Sequence, residues 1–349
     1  MRIIQTIILS LLLTYWCTAQ QYPILRNVEV RSLVNPERNG AFYDYSYTVA
    51  NNPRNSGSIN RFEIDISRPP GTIDIDTMGL RFEDDGFTER SFRRDFPFSS
   101  GKIVPVGFLV TPEGKRWVGG LTNNFTACFF DGVTNAIPPG ESLGEFTMLS
   151  KGLPAIRQCI LSPFFDVDSL FPSIDDPNRT ISIAQMDSIR EAAKFRSRTI
   201  GPTAPPQVFD ASIWIDTLLS YTSQSVDLGW LGTGRDDDCD NDERPQDGIE
   251  KNLERRLMMA QRDLQRGDSI KARRDLGLLV NKVDRIWKRG QMVEKRHEHD
   301  RGGWWQQRKE WVIMTSEAYA LLKYNAEYLI DRLPEKESHG KKPGKEDKD

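Results

Sequence analysis

The chain has 349 residues, with 47 Lys and Arg against 50 Asp and Glu, 38% hydrophobic and 28% charged residues, and a formal net charge of −3. That balance excludes general disorder, a collagen-type repeat and a polytopic membrane protein. It also supplies no whole-molecule attraction to nucleic acid, which is not an expected partner. The length points to two domains at roughly 100–200 residues each.

Residues 1–19 read as a signal peptide. Arg2 precedes an apolar run from Ile7 to Trp16, and Cys17-Thr18-Ala19 places small residues before Gln20, the pattern that signal peptidase reads. Trp16 stands where a lipoprotein needs a small residue before its cysteine, so a lipid anchor is not expected. The run is short for a membrane span of about 20 residues, and no second long apolar segment follows. The expectation is a secreted chain, extracellular or periplasmic, with no membrane span once the signal is removed. An exported chain favours disulfides. With Cys17 gone, Cys128 and Cys159 are the candidate pair, and two buried free thiols are the alternative.

Within an expected domain over 20–162, the period is two from Asn27 to Ser150. Tyr43, Tyr45, Tyr47 and Val49 fall on one face of a strand, and Asp44, Ser46 and Thr48 fall on the other. Arg61 to Ile66 repeats the alternation, and Val28 with Val30, Ile73 with Ile75, Val106 to Val110, Phe125 to Phe130 and Leu143 to Met148 supply further strands. Turn signals separate them, which predicts an antiparallel β-sandwich. Gly140-Glu141-Ser142-Leu143-Gly144 has nucleophile-elbow spacing. Pro138-Pro139 before it and strand-like residues after it predict a turn instead. Loop carboxylates such as Asp84 and Asp85 would serve glycoside chemistry only if held about 5–10 Å apart across a cleft.

Residues 163–209 carry several prolines and read as a Pro-rich connector with a short helix from about Ile183 to Phe195. After it the period becomes helical. Asp210 caps a helix that closes near Gly229. Ile249, Leu253, Leu257, Ala260 and Leu264 mark a second that ends at Gly267. Asp268 caps a third, with Leu276, Leu279, Val283 and Ile286. A fourth starts at Thr315 or Ser316 with Ala318, Leu321, Leu322, Asn325, Tyr328 and Leu329. Four amphipathic stripes predict a small helical bundle over 210–333. Residues 334–349 are a charged tail expected to be disordered.

Asn252-Leu253, Ala260-Gln261, Leu264, Arg266-Gly267-Asp268, Ala272, Leu276, Val280 and Val283, with Thr315-Ser316-Glu317-Ala318 and Leu321-Leu322, resemble the FIMAH domain. That helical module is attached to secreted bacterial proteins, often beside sandwich or enzyme domains. The stretches Gly140 to Leu143, Gly152 to Arg157 and Gly201 to Pro206 resemble uncharacterised secreted bacterial proteins of the same two-part layout. The resemblance implies a fold and carries no catalytic residues. The segment between Arg289 and Val312 departs from it by its size and charge.

Asp236, Asp238, Asp240 and Asp242 alternate and are the candidate ligands of a Ca²⁺ ion, which takes six to eight oxygens. The EF-hand pattern is met in part: Asn241 stands where the turn needs Gly, and Asp247 where Glu is expected. A solvated acidic loop before a helix is the competing reading. Asp236 to Glu250 holds eight acids and one base, and the basic stretch from Lys251 to Trp311 includes Trp287, Trp304, Trp305 and Trp311. Aromatics among charges can hold polysaccharide. His297 and His299 sit at i and i+2 and are expected in a solvated loop. No catalytic residue and no cofactor-binding residue is assigned. The expectation is a secreted non-catalytic protein that binds an extracellular polysaccharide or a cell-surface component. A carbohydrate-active enzyme using sandwich carboxylates and a structural spacer are the alternatives.

Overall fold

The computed structural model describes residues 22–36, 42–67, 107–110, 116–121, 127–132, 136–165, 182–206, 208–232, 248–300 and 313–335. Strands β1 (Val28–Pro36), β2 (Tyr43–Asn51), β3 (Ile59–Asp65), β4 (Gly107–Val110), β5 (Arg116–Leu121), β6 (Ala127–Gly132), β7 (Ser142–Ser150) and β8 (Leu153–Pro163) precede α1 (Ile183–Ala193) and β9 (Phe195–Thr203). Helices α2 (Ala211–Asp227), α3 (Ile249–Gln265), α4 (Ser269–Asp300) and α5 (Ser316–Arg332) complete the order. The strands form two antiparallel sheets, β1-β2-β7 and β4-β5-β6-β3-β8-β9. The expected strand at Ile73 and Ile75 lies outside the described residues.

The two sheets bury their apolar faces in one core. Tyr45, Tyr47 and Val49 of β2 are fully buried, as the period-two pattern requires, with Phe146 and Met148 of β7. Opposite them lie Phe62 and Ile64 of β3, Phe130 of β6 and Leu161 of β8. Ring contacts stitch the layers: Tyr47 meets Phe62 edge-on at 5.6 Å, and Phe146 lies 5.3 Å from Phe130 and 5.0 Å from Trp117. Offset and edge-on pairs of this kind add about 0.5–1.5 kcal/mol each beyond their burial. The elbow-like pentapeptide is a turn followed by a strand. Gly140 takes a positive φ of 86°, which a side chain would disfavour, and Ser142 pairs with Ala50 in the ladder.

Two expectations change. Part of the segment read as a connector carries β9, which pairs with β8 from Leu153↔Thr203 to Leu161↔Phe195 and forms one edge of the larger sheet. Pro202 in the strand and Pro205 and Pro206 after it hid it, because proline interrupts the alternation from which a strand is read. The bridge between Cys128 and Cys159 is not formed, and Cys159 is a buried free thiol. Both residues register with Ile64, so β3 runs between their strands. Two interstrand steps separate their backbones by roughly 10 Å, beyond the roughly 7 Å that a disulfide spans.

The helices begin and end where their caps stand. Ser182 and Gln185 form a reciprocal capping box on α1. The Asp210 carboxylate accepts from the N–H groups of Ser212 and Ile213 at 2.8 and 3.2 Å, and Gly229 and Gly267 take the left-handed conformation beyond α2 and α3. Asp268 accepts from the Lys271 N–H at 2.9 Å. Helices α2 and α4 each pack against α3 and α5. Helix α4 runs to Asp300, so His297 and His299 lie on a helix and not in a loop. Positions i and i+2 do not share a helix face.

Helix α5 joins the two halves. Nine of its residues are buried, including Glu317, Tyr324 and Asn325, and Ala320, Leu321 and Tyr324 belong to the core between the sheets. β1 is an edge strand, and α5 covers that edge. The Glu317 carboxylate accepts from the Ser32 N–H at 2.6 Å, the Ser316 hydroxyl donates to the Ser32 carbonyl at 2.6 Å, and the Tyr324 hydroxyl donates to the Val34 carbonyl at 3.1 Å. On the other side, Pro154 of β8 faces Pro202 of β9 at a non-hydrogen-bonded position of the ladder, where a missing N–H costs no interstrand bond and the carbonyls point away from the partner strand. Side chains serve those carbonyls. Asn325 Nδ2 donates to the Pro154 carbonyl at 2.8 Å, and Arg157 donates from Nε and Nη2 to the Pro202 carbonyl at 3.1 and 3.0 Å.

Two outcomes follow. Asn325→Leu and Arg157→Met each strand a buried carbonyl and should lower unfolding free energy in urea by about 1–3 kcal/mol. Near-ultraviolet and far-ultraviolet signals should still fall together, because sheets and helices share α5. Burial pushes the Cys159 thiol up to about 12, so a thiol reagent at pH 8 should label that residue in urea and leave it unlabelled in the native protein.

Candidate binding site

The solvent-facing ridge of α5 is spaced by four residues: Tyr319, Lys323, Glu327 and Asp331. The ridge lies beside α4, which contributes Asp284 and Trp287, residues on one helical face at i and i+3. Toward the sheets it meets Tyr324 and, from β2, Tyr43, whose rings are 5.2 Å apart.

Three polar groups close a triangle of hydrogen bonds. The Tyr319 hydroxyl donates to Asp284 Oδ1 at 2.9 Å, and Lys323 Nζ donates to the same oxygen at 2.8 Å and to the Tyr319 hydroxyl at 2.9 Å. Glu327 approaches the ammonium at 3.8 Å. The Trp287 and Tyr319 rings stack at 5.1 Å with 23° between their planes. Further along α5, the Arg332 guanidinium lies 3.5 Å from the centre of the Tyr328 ring, and Trp214 tilts against that ring at 5.0 Å.

The protonation states are locked. Burial opposes ionisation of Asp284, yet the hydrogen bonds from Lys323 and Tyr319 hold its carboxyl below the ordinary range. Burial also opposes the Lys323 charge, and the bonds to Asp284 and Tyr319 overcome it, so the ammonium titrates above its ordinary value. Burial raises the Tyr319 phenol, with the Asp284 bond in the same direction. Burial raises Glu327 as well, assisted by the charges of Asp284 and Asp331 and opposed by Lys323. The triangle therefore has no proton to exchange near neutrality, and it holds a flat aromatic pair beside charges of both signs. That arrangement suits holding a polar ligand with a flat apolar face better than general acid–base chemistry.

Among the sheet carboxylates, Glu63 and Asp131 are both tied to Arg61, with Arg61 Nη1 to Asp131 Oδ2 at 2.7 Å. The same guanidinium sits 4.6 Å from the centre of the Phe129 ring. A shared cation between two carboxylates makes an ion network, in which burial raises the Asp131 carboxyl above its ordinary value against the pull of Arg61. Asp84 and Asp85 lie outside the described residues. So do Asp236, Asp238, Asp240 and Asp242, the candidate Ca²⁺ ligands, and Trp304, Trp305 and Trp311. Of the singled-out tryptophans the structure places Trp287 in the site. Asp284, Tyr319, Lys323 and Glu327 were not singled out by sequence, although the four-residue spacing on α5 and the Asp284–Trp287 spacing on α4 were visible there.

No family model matches this chain, and none of the curated proteins or solved structures compared with it matches. Among the described residues, no helix is long and apolar enough to cross a membrane.

Removing the ammonium tests the triangle. Lys323→Met should cost on the order of 1 kcal/mol, as for a partly exposed pair. The stabilisation that it removes has a defined pH window. For Asp284 it is present above the ordinary carboxylate value and lost as pH falls through the depressed one. For Lys323 it is present below the ordinary ammonium value and lost as pH rises through the raised one. The difference in unfolding free energy between wild type and variant should therefore be flat from neutrality to about pH 10, and should shrink at acidic pH, where the half-buried Asp284 and Glu327 of the variant take up protons before those of the wild type.

Proposed function

We propose that this chain is a secreted, non-catalytic binding protein. Its sheets form an antiparallel β-sandwich, its four C-terminal helices a small FIMAH-like bundle, and its α4–α5 surface holds an extracellular polysaccharide or a cell-surface component. The observation that carries this reading is the Trp287–Tyr319 stack beside the Asp284–Lys323 pair. A sugar ring presents flat C–H faces to aromatic rings and hydroxyls to carboxylates and ammonium groups, and this surface offers both. The locked protonation of Asp284, Tyr319 and Lys323 supports recognition over turnover.

Export rests on the apolar run that ends in Cys17-Thr18-Ala19, and the module on the cap and core residues that resemble FIMAH domains. Ca²⁺ at Asp236, Asp238, Asp240 and Asp242 would be structural in this reading, tying the loop before α3.

Tryptophan emission followed through titration with a panel of neutral, acidic and amino-sugar polysaccharides tests the site. One member should give a saturable change, and Trp287→Ala should weaken it about tenfold. Appearance of new reducing ends would give the protein to the carbohydrate-active reading. A flat response to every polysaccharide and to isolated cell envelopes would leave the structural spacer.

A further inference from the structure

The turn between α3 and α4 brings two aspartates into one buried place. Asp263, near the end of α3, is 3% exposed, and Asp275, in the second turn of α4, is 9% exposed. The two carboxyl groups are neighbours that act on one another's ionisation. Lys271 Nζ donates to Asp263 Oδ1 at 2.8 Å, whereas Oδ2 of Asp263 and Oδ2 of Asp275 are each buried without a hydrogen-bond partner.

An ionised carboxylate only accepts hydrogen bonds, so two neighbouring acceptors repel unless something positive lies between them. The ammonium of Lys271 serves one oxygen of Asp263 and leaves the other two atoms unanswered. A hard cation needs about six oxygens, and among the described residues no group of three or more His, Cys, Asp or Glu could hold a metal. One proton on the pair would relieve that repulsion, because it turns one carboxyl into a donor to the other.

We propose that Asp263 and Asp275 hold a single shared proton that ties α3 to α4, and that its loss at rising pH loosens this helical hairpin. The asymmetry of the pair agrees with this. The hydrogen bond from Lys271 holds Asp263 below the ordinary carboxyl range, and burial together with the neighbouring Asp263 pushes Asp275 above it. The other charges around the pair are Arg266 of α3, Arg274 of α4 and Asp268 in the turn. On the neighbouring elements, Asp216 of α2 is engaged by Gln261, and Glu335 beyond α5 is engaged by Arg273.

The sign follows from proton counting. Above the ordinary carboxyl value of about 4, the native pair retains a proton that the unfolded chain has released. Stability therefore declines as pH rises toward the upper titration of the pair.

Carboxyl carbon NMR on the isotopically labelled full chain tests this directly, with one aspartate expected to titrate above the ordinary range and one below. Asp275→Asn replaces the shared proton by an amide N–H that needs no protonation. Its melting temperature should exceed that of wild type by a margin that widens from pH 4.5 to 9. Two ordinary carboxyl titrations, or melting curves that run parallel across that range, would overturn the proposal. If the variant does not fold, the NMR titration of wild type decides alone.

Discussion

A carbonyl shut away from water must find a donor, and those of Pro154 and Pro202, which point away from the ladder their strands share, find theirs in side chains. The answer to one comes from the same sheet, through Arg157. The answer to the other comes from more than 150 positions downstream, through Asn325. That second bond places α5 against β8. The same helix is held at its start by Glu317 and Ser316 on the free edge of β1, so its orientation follows from two sheets at once.

This arrangement explains why α5 is buried on more than one face. A helix at the rim of a helical layer needs one apolar stripe, whereas one between sheets and helices needs several. Ala318, Leu322, Ala326 and Leu329 meet the helical core, while Ala320, Leu321 and Tyr324 meet the core of the sheets. Covering β1 also removes a row of open backbone groups that would otherwise pair with another chain. The two halves of the protein thus share packing and hydrogen bonds.

The remaining face of α5 inherits that rigidity. Tyr319, Lys323 and Glu327 project from a helix whose other sides are fixed, and Asp284 and Trp287 come from a neighbour packed along it. Surfaces built on helices hold their geometry more closely than surfaces on loops. A stacked aromatic pair next to an ion pair is consequently held in one geometry by the elements beneath it.

Much of the local structure was legible in the residues. Alternation around Tyr43 to Val49, the caps at Asp210 and Asp268, the glycines at 229 and 267 and the stripe on α3 depend on neighbours within a few positions, and such short-range physics is written in order along the chain. β9 was hidden because Pro202 and the prolines beyond it mimic a connector, and only the pairing with β8 shows Pro202 at a position where the ladder asks for no N–H. The free state of Cys159 depends on β3 lying between two strands, and the meeting of Asp284 with Lys323 depends on how α4 leans on α5. The sequence alone determined most of the segments that become strands and helices and where several of them stop, but not β9 or the far end of α4. Only the tertiary structure decided which distant groups share a buried place, because the cost of burying a polar atom is settled by whatever partner the fold brings to it.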